Sequence, residues 1–183
     1  MQAITHKLQV GDILIQKRGE PWTFLARLFC GQPYPHARVV SRIVMYPPCP
    51  AVPQDKNPTY RIYTLENNWW IRETELFNLD DYEVWRPRCS DDIKRRALAW
   101  IEDHRGESYG FMRLIEIAFG YRWGLRKRPG MDDDLSKDNR LKVCSETIAM
   151  GYYRNGYDVA PHVQDIDTMP WDLRNDASEH VFG

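Results

Sequence analysis

The first half of the chain alternates short apolar runs with turn residues, and this pattern predicts β-strands. Residues 8–16, LQVGDILIQ, open with a Gly-Asp turn and continue as an apolar run, and residues 36–46, HARVVSRIVMY, are rich in β-branched residues. Residues 59–67, TYRIYTLEN, alternate so that Glu66 shares one face with Ile62 and Thr64. Further strands are predicted within residues 69–77 and 81–88. Consecutive strands without intervening helices predict an antiparallel sheet.

Helical spacing replaces this pattern after residue 89. Ser90 is placed as the N-cap of a helix that Gly106 ends, with Ile93, Ala97, Trp100 and Ile101 as its apolar stripe. Two other helices are predicted over residues 22–31 and 109–121. A further helix runs from Cys144 to about Asn155-Gly156, and a last helical turn starts at Pro170. The fold class is therefore α+β, with the sheet first and the helices in the second half, as a single domain over residues 1–183.

Composition narrows the function classes. The 183 residues include 43% hydrophobic and 28% charged residues, and the formal net charge of −1 argues against a nucleic-acid partner. We expect no transmembrane segment and no signal peptide, hence a location in the cytoplasm or release without a signal peptide. Four cysteines without C-x-x-C spacing predict free thiols, no metal site and no cofactor. The sequence does not indicate an oligomeric state.

Cys144 lies in KVCSETIAM, where a charged loop over residues 122–140 gives way to an apolar helix. A cysteine in the first turn of a helix is a candidate nucleophile, because unpaired N–H groups there favour the thiolate and can bind an oxyanion. The alternative is a buried cysteine that only packs, which is common for free cysteines. The sequence context of Cys30, Cys49 and Cys89 favours chemistry less.

A cysteine nucleophile needs a base and a group that orients the base. Among the five histidines, His36 begins a predicted core strand after a proline-containing loop, which would hold its ring rigidly beside a cleft. Glu66 ends the next predicted strand and could accept the second ring N–H of His36. Asn67 is the competing orienting residue, because strand register can slip by one position.

Several stretches together resemble the circularly permuted branch of the NlpC-like papain-fold enzymes, the YiiX-like group. They are Gly11-Asp12, His36 in YPHARVV, Glu66 in YTLENNWWI, SYGF at 108–111, Cys144-Ser145-Glu146 and MPWDL at 169–173. Their order, with the histidine and the acid before the cysteine helix, is that of the permuted branch. Two features depart from the family pattern: Arg38 stands where a small residue is common, and residues 121–140 form a lengthened loop.

The resemblance implies a permuted papain-like fold and a thiol hydrolase that cleaves an amide bond in a peptide, an isopeptide or a cell-wall peptide. Cys144 would be the nucleophile, His36 the base and Glu66 the orienting residue. Tyr109, Asn67 and Trp69 are weaker candidates for oxyanion or substrate contacts, and for the two aromatic residues packing is the more common role. A lipid-directed hydrolase or acyltransferase on the same residues and a non-catalytic binding protein on this fold remain the alternatives.

Overall fold

The computed structural model of the chain describes residues 7–17, 36–46, 59–67, 70–107, 144–163 and 168–182. The helices predicted over residues 22–31 and 109–121 and the charged loop at 122–140 lie outside the described residues. Four residues considered above also lie outside them: Cys30, Cys49, Trp69 and Tyr109. The prediction of a single domain over residues 1–183 stays a prediction.

Six strands form one antiparallel sheet in the order β4-β3-β2-β1-β5-β6. The strands are β1 Ile13–Gln16, β2 Ala37–Tyr46, β3 Thr59–Asn67, β4 Ile71–Leu76, β5 Tyr82–Pro87 and β6 Ser178–Phe182. The five strands predicted in the first half are confirmed. The expectation that the sheet belongs wholly to that half is wrong, because β6 comes from the end of the chain and pairs with β5.

Two α-helices lie within the described residues: α1 Asp91–Asp103 and α2 Cys144–Tyr153. Ser90 caps α1 by accepting a hydrogen bond from the backbone N–H of Ile93 at 3.3 Å, as its position predicts. The last predicted turn is a 3₁₀ helix over Pro170–Leu173. No helix of the described residues is long and apolar enough to cross a membrane.

The buried stripe of α1 differs from the predicted one. Ala97 and Ile101 are buried as expected, but Leu98 is also buried, whereas Ile93 and Trp100 are only partly buried. Lys94 is buried as well, because its aliphatic stem packs against the turn before β1 while its ammonium reaches Asp91 at 3.4 Å. The helix thus presents a wider face to the core than its apolar residues indicate.

The sheet is buried on both faces. On the helix side, the core contains Ile13, Val39, Leu65 and residues of α1 and α2, among them Ala97 and Ile148. The opposite face carries a second cluster of buried apolar residues, namely Leu8, Leu14, Val40, Ile62, Leu79, Tyr82 and Val84. Neighbouring residues of one strand therefore enter different buried environments, which matters for the candidate site.

The Gly-Asp turn before β1 joins three parts of the fold. Gly11 has a φ of +90°, a conformation that favours glycine, and its carbonyl accepts a 2.6 Å hydrogen bond from the Tyr152 hydroxyl of α2. Asp12 is fully buried and accepts two 2.8 Å hydrogen bonds from Arg86 of β5. The backbone N–H of Gln9 also donates to Asp12 at 2.8 Å. These contacts give the Gly11-Asp12 motif a structural role, because they join β1 to α2 and β5.

Candidate active site

Cys144 is the first residue of α2, and its side chain is buried, with 3% of the residue exposed. The backbone N–H groups of Ala37 and Ser145 act on its thiol and lower its pKa. The start of the helix is fixed in place because the Ser145 hydroxyl donates to the Thr168 carbonyl at 2.5 Å. Donors at a helix N-terminus stabilise negative charge, so this position favours a thiolate.

His36 directly precedes β2, and its ring lies close enough to the Cys144 thiol for each group to shift the pKa of the other. Its carbonyl accepts a 3.0 Å hydrogen bond from the backbone N–H of Gln16, which fixes the backbone at the strand end. The residue is 6% exposed. The sulfur and the imidazole therefore meet in a site from which most water is excluded.

The two groups shift each other's protonation in opposite directions. Burial lowers the pKa of His36, but the Cys144 sulfur and the Glu66 carboxylate outweigh it and raise that pKa above 6.5. Burial raises the pKa of Cys144, but the charge and hydrogen bond of His36 outweigh it and lower that pKa below 9.0. Both shifts favour a thiolate paired with an imidazolium.

Glu66 lies on the far side of the imidazole and is almost fully enclosed by cationic side chains. Its Oε2 is 3.3 Å from Nε2 of His36 and 2.9 Å from an Nη of Arg38, and its Oε1 is 3.1 Å from Nε of Arg72. Burial raises the pKa of Glu66, but the His36 hydrogen bond and the charges of Arg38, His36 and Arg72 lower it to about 2. Glu66 is therefore a carboxylate at neutral pH.

Strand register explains why Glu66 and not Asn67 contacts the imidazole. Arg38 of β2 and Arg72 of β4 are the register partners of Glu66 on either side of β3. Successive side chains of a strand point to opposite faces, so Asn67 points the other way. Its amide Nδ2 donates to the Thr147 hydroxyl of α2 at 3.2 Å.

His36 interacts with both the Cys144 thiol and the Glu66 carboxylate. Because Nε2 of His36 faces Glu66, Nδ1 is the nitrogen left for Cys144. A carboxylate that accepts from Nε2–H fixes the tautomer whose Nδ1 can take a proton from the thiol. This geometry suits proton transfer from Cys144 to His36 and a nucleophilic thiolate.

Sequence reasoning missed the two arginines that hold Glu66. Arg38 was noted only as a departure from a family pattern, and Arg72 was not singled out. The available signal was the register of β2, β3 and β4: charged residues near the start of β2 and β4, opposite a buried acid near the end of β3, are candidate partners of that acid. That signal becomes usable only when the register is known.

The described residues hold one other cysteine, and its environment differs. Cys89 is partly exposed, and burial together with Asp91 raises its pKa above 9.0, although the Lys94 charge opposes the shift. The other histidines in the described ranges have a structural contact or are exposed: a ring nitrogen of His104 lies 2.7 Å from the Trp100 carbonyl, and His162 and His180 are exposed. Cys144 and His36 are thus the described pair with mutually favourable shifts.

The chain was compared with protein-family models, curated proteins and solved structures. No protein-family model and no curated protein matches it. Its structure is similar to the crystal structure of the metalloprotein YiiX from Escherichia coli O157:H7, DUF1105, with a TM-score of 0.49 and 17% identity. The match covers 84% of this chain and 70% of YiiX. A likeness at this level assigns neither a fold family nor an activity.

Within the described ranges, no group of three or more His, Cys, Asp or Glu side chains could hold a metal ion.

Proposed function

We propose that the protein is a cysteine hydrolase with a permuted papain-like fold that cleaves an amide bond through a Cys144 acyl-enzyme. The observation that carries the proposal is the buried contact chain from Cys144 through His36 to Glu66 at the N-terminus of α2. The order of these residues along the chain, His36, Glu66 and then Cys144, is the order of the permuted branch that the sequence resembles.

In the first half-reaction, His36 takes the thiol proton of Cys144, and the sulfur adds to the substrate carbonyl carbon. The carbonyl π electrons move to oxygen and form a tetrahedral oxyanion. When the carbon–nitrogen bond breaks, His36 gives its proton to the departing amine and returns to the neutral state. Glu66 keeps the ring oriented and stabilises the imidazolium between these two transfers.

In the second half-reaction, water replaces the amine. His36 accepts a proton from water, the hydroxide oxygen adds to the thioester carbon, and the bond to the Cys144 sulfur breaks. The acid product leaves, and the proton on His36 restores the Cys144–His36 pair. The backbone N–H of Cys144, at the helix N-terminus, is the proposed donor to the oxyanion in both steps.

A non-catalytic binding protein on the same fold is the second candidate, and burial is the observation that favours it. Cys144 is 3% exposed and His36 is 6% exposed, so a substrate carbonyl could reach the sulfur only if neighbouring residues move. A cysteine that serves packing alone would show the same burial. It would not need an acceptor imidazole or a clamped carboxylate beside it.

Thiol reactivity separates these two candidates. Iodoacetamide applied to the native protein near neutral pH, followed by peptide mapping, should modify Cys144 faster than Cys30, Cys49 and Cys89. His36→Ala should slow the reaction at Cys144 by up to about 30-fold, because only about 3% of an ordinary thiol is thiolate at pH 7. His104→Ala is the matched control and should leave the rate unchanged. Equal rates at all four cysteines would contradict the hydrolase proposal.

The substrate class needs a product assay. We propose that the protein cleaves amide bonds of a peptide, an isopeptide or a cell-wall peptide such as a muropeptide, and leaves phospholipids intact. Incubation with each substrate, followed by mass spectrometry, measures the products directly. Fatty acid release from phospholipid, absent in Cys144→Ala, would instead support the lipid-directed alternative on the same residues.

A further inference from the structure

Two donors share one oxygen of Glu66, and the nearer one is not the imidazole. The Arg38 guanidinium nitrogen lies 2.9 Å from Oε2, whereas Nε2 of His36 lies 3.3 Å from the same atom. The Glu66 side chain is 2% exposed and the Arg38 side chain is 18% exposed, so water competes little for this contact. Arg38 and His36 therefore share the negative charge on Oε2, and the interaction of His36 with that oxygen is weaker than it would be without Arg38.

The position of Arg38 is fixed by contacts other than Glu66. Its second terminal nitrogen donates to the Thr74 hydroxyl of β4 at 3.4 Å, and its guanidinium carbon lies 5.5 Å from the centre of the Tyr82 ring of β5. Arg72 holds the other carboxylate oxygen of Glu66. The carboxylate is thus clamped between two strands, with one oxygen left for His36 and Arg38 together.

We propose that Arg38 is a positioning residue that limits how tightly His36 holds its proton, an inference that rests on the proposed hydrolase function. An imidazole between a thiolate and an unshared buried carboxylate would keep the proton it takes from Cys144. A general acid must release that proton to the leaving amine. By sharing Oε2, Arg38 weakens the hold of Glu66 on the imidazolium while the ring keeps its orientation.

The charges that act on His36 come from three elements. Cys144 faces it from α2, Glu66 from β3 and Arg38 from β2, the strand that His36 directly precedes, while Arg72 of β4 acts through Glu66. Burial and the Arg38 charge lower the pKa of His36, whereas Cys144 and Glu66 raise it. Removal of Arg38 should raise the pKa of His36 for two reasons. It deletes a repulsive charge, and it leaves the Glu66 carboxylate to interact more strongly with the imidazolium.

The test is an NMR titration of the His36 ring nitrogens in the full-length Cys144→Ala protein, where the thiol no longer contributes. Adding Arg38→Gln should raise the pKa of His36, and Arg38→Lys should return it toward the parent value because the charge is restored. The matched control is Arg42→Gln, which removes a guanidinium on the same strand that pairs with Glu73 instead. An unchanged or lowered pKa of His36 in Arg38→Gln would overturn the proposal.

A second measurement needs no substitution of Arg38. In the Cys144→Ala protein, the Arg38 side-chain nitrogen resonances should move with the His36 titration, and those of Arg42 should not. Arg38 resonances that stay fixed through the His36 titration would also overturn the proposal, even if Arg38→Gln fails to fold. Both readouts are independent of catalysis, so slow alkylation of Cys144 would refute the hydrolase without deciding the role of Arg38.

Discussion

Replacing Glu66 with glutamine keeps the size of the side chain but removes the charge that His36, Arg38 and Arg72 share. The pKa of Glu66 is lowered from 4.5 to about 2 in the folded protein. At about 1.4 kcal/mol per pKa unit, this shift corresponds to about 3 kcal/mol of stability. We therefore expect Glu66→Gln to lower the free energy of unfolding by about 3 kcal/mol at pH 7.

The sign of the pH dependence follows from the direction of the shift. A carboxyl with a depressed folded-state pKa stabilises the fold fully above its unfolded pKa of 4.5 and loses this effect as the pH falls toward 2. The unfolding curves of the natural protein and Glu66→Gln should therefore converge over this range. Urea titrations at pH 7, 5, 4 and 3 measure the difference in the free energy of unfolding between the two proteins. The contributions of other titrating groups are nearly the same in both proteins and cancel in this difference.

The control is Glu75→Gln on β4, where the carboxylate is 27% exposed and lies 3.6 Å from Arg61, which is 51% exposed. An exposed pair contributes less than about 1 kcal/mol, so this variant should unfold close to the natural protein. The account of the clamped carboxylate would be refuted if Glu66→Gln matched Glu75→Gln at pH 7. A difference that persisted unchanged at pH 3 would also refute it.

Two further predictions concern the Gly-Asp turn, and both are measured by urea unfolding. Asp12→Asn should destabilise the fold by about 3–5 kcal/mol, because it leaves the charge of Arg86 without its two-bond carboxylate partner; a loss below 1 kcal/mol would show that solvent replaces the pair. Gly11→Ala should cost more than Gly106→Ala, since both glycines have a φ of +90° but only at residue 11 would the added Cβ come within 2.9 Å of the Lys94 side chain. Equal losses in the two alanine variants would contradict the predicted steric contact.

Strands and helices whose residue pattern or capping residues lie within the element itself were predictable from the sequence. Alternation identified β3, and the Ser90 cap and Gly106 placed the ends of α1 within a few residues. The strand β6 was missed, because a short segment with charged residues becomes a strand through pairing with β5, which lies about 90 residues earlier. Lys94 was missed as a buried residue for a similar reason: its partner surface is the turn at Gly11.

The candidate site was predictable in its residues but not in its electrostatics. The position of Cys144 at the start of an apolar helix and of His36 before a strand is visible in the sequence. The choice between Glu66 and Asn67 depends on which face each side chain takes, and that depends on register. The arginine clamp depends on the pairing of three strands, so no single stretch of sequence could have indicated it.

We propose that Cys144 and His36 form a reactive thiolate–imidazolium pair. The most direct measurement is the rate of Cys144 alkylation against pH in the native protein and in His36→Ala, with Cys89 as the internal reference. We predict that Cys144 reacts at a pH at which Cys89 is still a thiol, and that His36→Ala moves its profile up toward that of Cys89. Coincident profiles for the two cysteines, or a Cys144 profile that does not change in His36→Ala, would contradict the account.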